Sequence, residues 1–219
     1  VDINDIVQTI SIWAIPVLFA ITLHEVAHGW VARRLGDPTA FMMGRLTLNP
    51  LKHIDPIGTV LVPVVLLVLG GFVFGWAKPV PVNYRNLHSP RKDMALVAVA
   101  GPMANLVMML FWALIMKLGV ILYDFSPWLA VPMTLMGQAG IMINLILMLL
   151  NLLPIPPLDG GRVLTGLVPA RLSAYLDTIE PYGFFILLAL LATGILGIIL
   201  RPPMSFVYNL VGSIFGLPI

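Results

Sequence analysis

The 219 residues are 59% hydrophobic and 10% charged, with 12 basic and 10 acidic side chains and a mean hydropathy of +1.00. A soluble domain carries about 25% charge and about 45–50% apolar residues, so a water-soluble fold and a disordered chain are both excluded. A net charge of +2 without clustered Lys and Arg predicts no nucleic-acid partner, and the lack of Cys removes disulfides, thiol nucleophiles and Cys-ligated metals.

What remains is an all-α, polytopic membrane protein. A spanning helix needs about 20 mostly apolar residues. The first candidate covers about residues 6–35, greasy up to Leu23 and polar beyond. Its acidic start (Asp2, Asp5) and its unbroken run into His24 do not have the pattern of a cleaved secretory signal. Residues 40–48 read as a short membrane-edge strand. Residues 57–76 are apolar, but they follow Asp55-Pro56 and contain Gly58, Pro63, Gly70 and Gly71. That pattern predicts a broken, re-entrant segment rather than a straight span. Residues 79–84 are held extended by Pro79 and Pro81. Further spans are expected at about 94–118, 128–153 and 182–200, with a short amphipathic stretch within 162–179. The apolar tail 202–219 is expected along the membrane interface or against the bundle. The expected architecture is a bundle of about four transmembrane helices, one re-entrant segment and short membrane-edge strands.

The first span carries His24-Glu25-Val26-Ala27-His28. Spacing i, i+4 sets both imidazoles on one helix face, one turn apart, where they can hold a single metal ion. A pair of neutral imidazoles suits Zn²⁺, and a neighbouring carboxylate can take a proton from the attacking water. Ionisable groups facing lipid cost at least ~2.5 kcal/mol each, so such residues in an apolar span usually face inward and act. A catalytic zinc site needs three protein ligands and one open position. The other histidines, His53 and His88, lie in polar connections. Asp159 follows an apolar span in Asn151-Leu-Leu-Pro-Ile-Pro-Pro-Leu-Asp159-Gly160-Gly161, where the prolines end the helix and the glycines allow a tight turn. Beside the paired histidines it is the natural third ligand.

These motifs together resemble the site-2 protease family of intramembrane zinc metalloproteases. The resemblance rests on His24-Glu25-x-x-His28, on Gly101-Pro102-x-x-Asn105 and on Asn151-x-x-Pro-x-x-Pro-x-Asp159-Gly160. It implies one Zn²⁺ per chain on His24, His28 and Asp159, with Glu25 as general base and Asn151 holding a substrate carbonyl. His53 and Asn105 are accessory candidates. Asn49-Pro50-x-x-His53-x-Asp55-Pro56 and Gly75-Trp76-Ala77-Lys78-Pro79-Val80 look like features of a short-chain branch without PDZ or CBS domains. The whole of 1–219 then reads as one metalloprotease domain, with a catalytic core at about 6–164 and a C-terminal helix and tail at about 165–219. The implied substrates are single-pass membrane proteins, such as anti-sigma factors, transcription-factor precursors or signal-peptide remnants. A metal-ion transporter using the same His, Glu and Asp residues is the alternative, but no internal repeat supports it.

Metal geometry constrains topology. If residues 57–76 crossed fully, Asp159 would end on the far side of a ~30 Å hydrocarbon core from His28. A re-entrant segment returns Asp159 to the level of the histidines. It also places ten of the twelve basic residues on that side, which the positive-inside rule makes the cytoplasm. The N-terminus is then expected outside, in a prokaryotic cell membrane.

Overall fold

The computed structural model describes residues 3–61, 65 and 78–218. Its first helix, α1 (Ile3–Arg34), buries a ridge formed by Pro16, Ala20, His24, His28 and Ala32, with Thr22 and Gly29 buried beside it. The four-residue spacing keeps the ridge side chains on one face. The small residues flanking the histidines let a neighbouring helix approach closely enough for the imidazoles to be covered.

Residues 40–48 do not form the expected strand, and there is no strand among the described residues. A short helix, α2 (Thr39–Met42), takes their place. Asp37 accepts the Thr39 N–H at 3.1 Å, and Arg45 N–H closes back onto Ala40 O at 2.8 Å. Gly44 supplies the positive φ (64°) that the turn requires. Stacking of the Arg33 guanidinium 3.6 Å above the Phe41 ring fastens α2 to α1. Pro56–Leu61 forms a π-helical turn, and the rest of the expected re-entrant segment, except Val65, lies outside the described residues. Its two flanks meet, because Lys78 N–H donates to His53 O at 2.9 Å.

Two long helices complete the centre. They are α3 (Pro90–Leu122) and α4 (Pro127–Asn151), joined by a tight turn at the end remote from the histidines. They pack through Met109, Trp112, Ala113 and Met116 against Ile141, Leu145 and Met148. Outward-facing residues on the bundle, such as Ile10, Phe19, Val107 and Phe111, are large, apolar and exposed. That is the surface of a protein whose solvent is hydrocarbon.

Beyond α4 come α5 (Asp159–Leu167), α6 (Ala170–Ile179), a 3₁₀ turn (Glu180–Tyr182), α7 (Gly183–Ala192) and α8 (Ile195–Phe215). This corrects the expected span at 182–200. The apolar run is divided at Gly194, whose φ of 74° stops one helix and starts the next. Of the two placements expected for 202–219, the interfacial one is corrected, because 202–215 belong to α8 and Val211 and Leu217 pack against the bundle. Pro202 and Pro203 lie inside that helix, a placement that membrane helices tolerate.

Five helical stretches are long and apolar enough to cross a membrane: Val7–Arg34, Pro90–Leu122, Pro127–Asn151, Ala170–Ala192 and Ile195–Phe215. Contacts order them. Leu196 and Leu200 pack with Leu149, Leu150 and Leu153 at one end of α4, whereas Gly216 O accepts from Lys117 Nζ at the other end. So α8 runs antiparallel to α4, from the histidine end to the remote end, and 170–192 starts and finishes at the histidine end.

Candidate metal centre

The buried ridge of α1 meets α3 and the first turn of α5. His24 Nε2 and His28 Nε2 are 3.0 Å apart, and Asp159 Oδ2 lies 3.2 and 3.3 Å from them. All three side chains are buried. Among the described residues this is the one group of three His, Asp or Glu side chains with ligand atoms within 4.8 Å of one another.

Hydrogen bonds on the far side of each ring decide where the protons are. His28 Nδ1 is 2.7 Å from Val97 O, a carbonyl that only accepts, so Nδ1 carries the proton. His24 Nδ1 donates to Asn105 Oδ1 at 2.6 Å. The Asn105 amide is oriented by its other bonds, because Nδ2 donates to Ala20 O at 3.2 Å and to Asn144 Oδ1 at 2.9 Å. Asn144 Nδ2 in turn donates to Gly140 O at 2.8 Å. With Nδ1 committed to these partners, each imidazole turns its Nε2 toward the same carboxylate oxygen. Three acceptors this close hold together only around a positive charge, either a proton or a metal cation.

Zinc fits this cluster. Ligand bonds of about 2.0–2.1 Å in a tetrahedron imply ligand–ligand edges of roughly 3.3 Å, close to all three separations. Two imidazole nitrogens and one carboxylate oxygen leave a fourth position open. Gly101 on α3 leaves room for the two rings in this arrangement, since a Cβ there would sit 2.6 Å from His24 Nε2 and overlap His28 Nε2. Burial opposes the charged form of Asp159. When the cluster holds a proton rather than a cation, hydrogen bonds from His24 and His28 and the charge on those rings outweigh it and hold the carboxyl well below the ordinary carboxylate range.

Asp159 is set by packing, and the expected tight turn is corrected here. Asp159, Gly160 and Gly161 form the first turn of α5 with ordinary helical φ. The glycines serve close approach, because a Cβ on Gly160 would strike the carbonyls of Leu152 and Leu153. Arg91 Nη2 donates to Val168 O at 2.5 Å and ties the end of α5 to the start of α3.

With this geometry in view, the comparisons with known proteins are specific. The profile of Peptidase family M50 matches residues 12–123 and 120–193. The chain belongs to peptidase family M50. As an M50 member it is a protease, and its donor set is that of a zinc-dependent one. A Bacillus subtilis relative with the printed name "Putative zinc metalloprotease YwhC" is 41% identical over 87% of this chain and 84% of its own. A Mycolicibacterium smegmatis relative named "Putative zinc metalloprotease Rip2" is 33% identical over 80% of this chain and 64% of its own. The Rip2 of Mycobacterium tuberculosis H37Rv is 32% identical over 67% of this chain and 53% of its own. No solved structure matches the chain significantly.

The remaining expected residues of this M50 protease fall in different places. Glu25 is half-buried beside the histidines, and its Oε2 accepts the Val80 N–H at 2.7 Å. Asn105 orients His24. Asn151 stands at the end of α4, and its amide donates to Leu147 O at 2.9 Å, within its own helix. His53 is buried but outside the three-residue cluster; its Nε2 meets Thr47 O at 2.9 Å. Asn144, Asp37 and Arg45 are not among the expected site residues, and the structure brings them in through Asn105, the Asn83 N–H and the Lys78 carbonyl. The one local signal for Asn144 was an amide in an apolar helix.

Proposed function

We propose that this M50 protease hydrolyses peptide bonds in or beside the transmembrane segment of single-pass membrane proteins, with one zinc ion on His24, His28 and Asp159. The observation that carries this reading is the convergence of those three acceptors inside an apolar bundle, with both Nδ1 protons committed elsewhere. A zinc ion held there supplies a Lewis acid for the scissile carbonyl and makes the attacking water more acidic.

The chain's own residues do the rest. Glu25, adjacent to His24 on α1, takes the proton from the attacking water and delivers it to the leaving nitrogen. Asn105 and the Val97 carbonyl keep the two imidazoles in the tautomer that binds metal. Asn151, eight residues before Asp159, is the candidate donor to the developing oxyanion, and must release Leu147 O to serve. The substrate must be extended to present a carbonyl, so its helix unwinds before cleavage.

Eleven of the twelve Lys and Arg residues lie at the metal end of the bundle or within about two turns of it, since only Lys117 belongs to the remote end. By the positive-inside rule the metal faces the cytoplasm and the N-terminus lies outside.

The test is zinc content by elemental analysis beside cleavage of a generic transmembrane substrate. Wild type should hold one zinc and cleave. Asp159→Ala should lose both, and Glu25→Gln should keep zinc and lose cleavage. Full turnover by Glu25→Gln would remove Glu25 as the base.

A further inference from the structure

Between Lys78 and Asn83 the chain passes across the end of α1, and it is pinned there at three points. At one end Lys78 N–H donates to His53 O at 2.9 Å, and Arg45 Nη2 donates to Lys78 O at 3.0 Å and to Pro79 O at 3.4 Å. At the other end Asn83 N–H donates to Asp37 Oδ2 at 2.6 Å. Asp37 has no solvent exposure, and Arg45 is buried. In the middle Val80 N–H donates to Glu25 Oε2 at 2.7 Å. Pro79 and Pro81 have no N–H, so in 79–81 the backbone offers a single donor, and Glu25 takes it.

We infer that residues 78–83 form a positioning strap that sets the Glu25 carboxylate for proton transfer through the Val80 amide. The inference rests on the reading of Glu25 as general base. A carboxylate on a flexible side chain can occupy several rotamers, and a general base must stand within hydrogen-bond reach of its proton. One oxygen tied to a clamped backbone amide fixes the carboxylate plane and leaves the second oxygen to face the reaction. The prolines remove competing donors and hold the strap extended. Val80 is thus a positioning residue acting through its backbone, while Asp37 and Arg45 hold the strap ends.

The side chains agree with this register. A Cβ on Gly29 would lie 2.8 Å from Val80 Cγ1, 2.6 Å from Leu46 Cδ2 and 3.2 Å from Ala40 Cβ. The absence of a side chain at 29 therefore lets the strap lie down on α1, one turn beyond Glu25. Gly29→Ala should lift the strap without removing any hydrogen-bonding group.

The experiment combines steady-state kinetics, zinc analysis and hydrogen exchange on the full chain. Val80→Ala keeps the amide and should retain near wild-type kcat. Val80→Pro removes the amide and should lower kcat roughly 10- to 100-fold, with KM and zinc content unchanged. Gly29→Ala should move kcat in the same direction. Peptides covering 79–83 carry only the amides of Val80, Val82 and Asn83 in this stretch, and Asn83 keeps its bond to Asp37 in the Glu25 variant, so the difference between the two proteins reports the Val80 amide. That amide should exchange slowly in wild type and quickly in Glu25→Ala. Wild-type kcat in zinc-loaded Val80→Pro, or equally fast Val80 exchange in wild type and Glu25→Ala, would overturn the strap. If Val80→Pro loses zinc or fails to fold, Gly29→Ala and the exchange comparison decide alone. Turnover by Glu25→Gln would instead sink the base assignment, a separate failure, since the exchange comparison does not depend on catalysis.

Discussion

Asn105 Oδ1 accepts the Nδ1 proton of His24 across 2.6 Å, and this bond leaves His24 Nε2 available for the metal proposed above. The orientation is inherited from α4, because Asn105 Nδ2 is held by Asn144 Oδ1 at 2.9 Å. Groups behind a metal-binding histidine typically contribute 10–100-fold to affinity. Asn105→Leu should therefore weaken zinc binding by about that range. Asn144→Leu should weaken it less, because Asn105 Nδ2 keeps the Ala20 carbonyl. Competition with a chelating dye measures both. Equal affinity in wild type and Asn105→Leu would show that His24 is held by other means.

Gly101 should tolerate no side chain. A Cβ there would overlap His28 Nε2 and lie 2.6 Å from His24 Nε2, so Gly101→Ala must push apart the two rings proposed to hold the ion. The expected outcome is a folded, zinc-free protein without peptidase activity. Size-exclusion behaviour in detergent together with elemental analysis tests it, and a zinc-replete Gly101→Ala variant would contradict it.

What could be read from the sequence follows the range of the interactions. His24 and His28 declare themselves because one helical turn is a local relationship. Asp159 was legible through its motif, but its helical setting was not, since the need for Gly160 arises from carbonyls of the preceding loop. The strap was invisible. Glu25 and Val80 are 55 residues apart, and nothing in Pro-Val-Pro says which carboxylate its single amide will meet. Residues 40–48 have the apolar content of a strand, yet Asp37 and Gly44 close them into a helical turn. The last span is displaced from the expected 182–200 because Gly194 divides the apolar run and Pro202 and Pro203 continue inside the helix that follows. A positive φ at 194 makes that division.

Asp37 gives the strap a pH dependence with a definite sign. Burial works against its charge, but bonds from the Thr39 hydroxyl, the Asn86 amide and the backbone N–H groups of Asn83 and Thr39 prevail and lower its pKa. A carboxyl with a depressed folded-state pKa contributes its full stability above the unfolded value of about 3.9. That contribution is lost as pH falls from there through the folded pKa. Thermal midpoints of wild type and Asp37→Asn should therefore differ most at neutral pH and converge in acid below that value. A difference that stays constant from neutral pH down into that acid range would show that Asp37 acts through shape alone.

Metal removal is the most direct probe of the cluster. His24 Nε2, His28 Nε2 and Asp159 Oδ2 lie within 3.3 Å of one another, and without a cation or a captured proton their lone pairs repel. Zinc binds the folded cluster and not the separated residues, so its binding free energy adds to stability, about 4 kcal/mol at a free concentration 1,000 times Kd. A chelator should lower the thermal midpoint by several degrees and abolish peptide hydrolysis, and zinc should restore both. Magnesium should not, because it prefers oxygen ligands in an octahedron over two imidazole nitrogens. At the same zinc concentrations Asp159→Ala should respond to neither treatment. A midpoint in the wild type indifferent to chelator, measured after zinc is shown to have left, would mean that a proton shared by the three side chains holds them as well as a metal does.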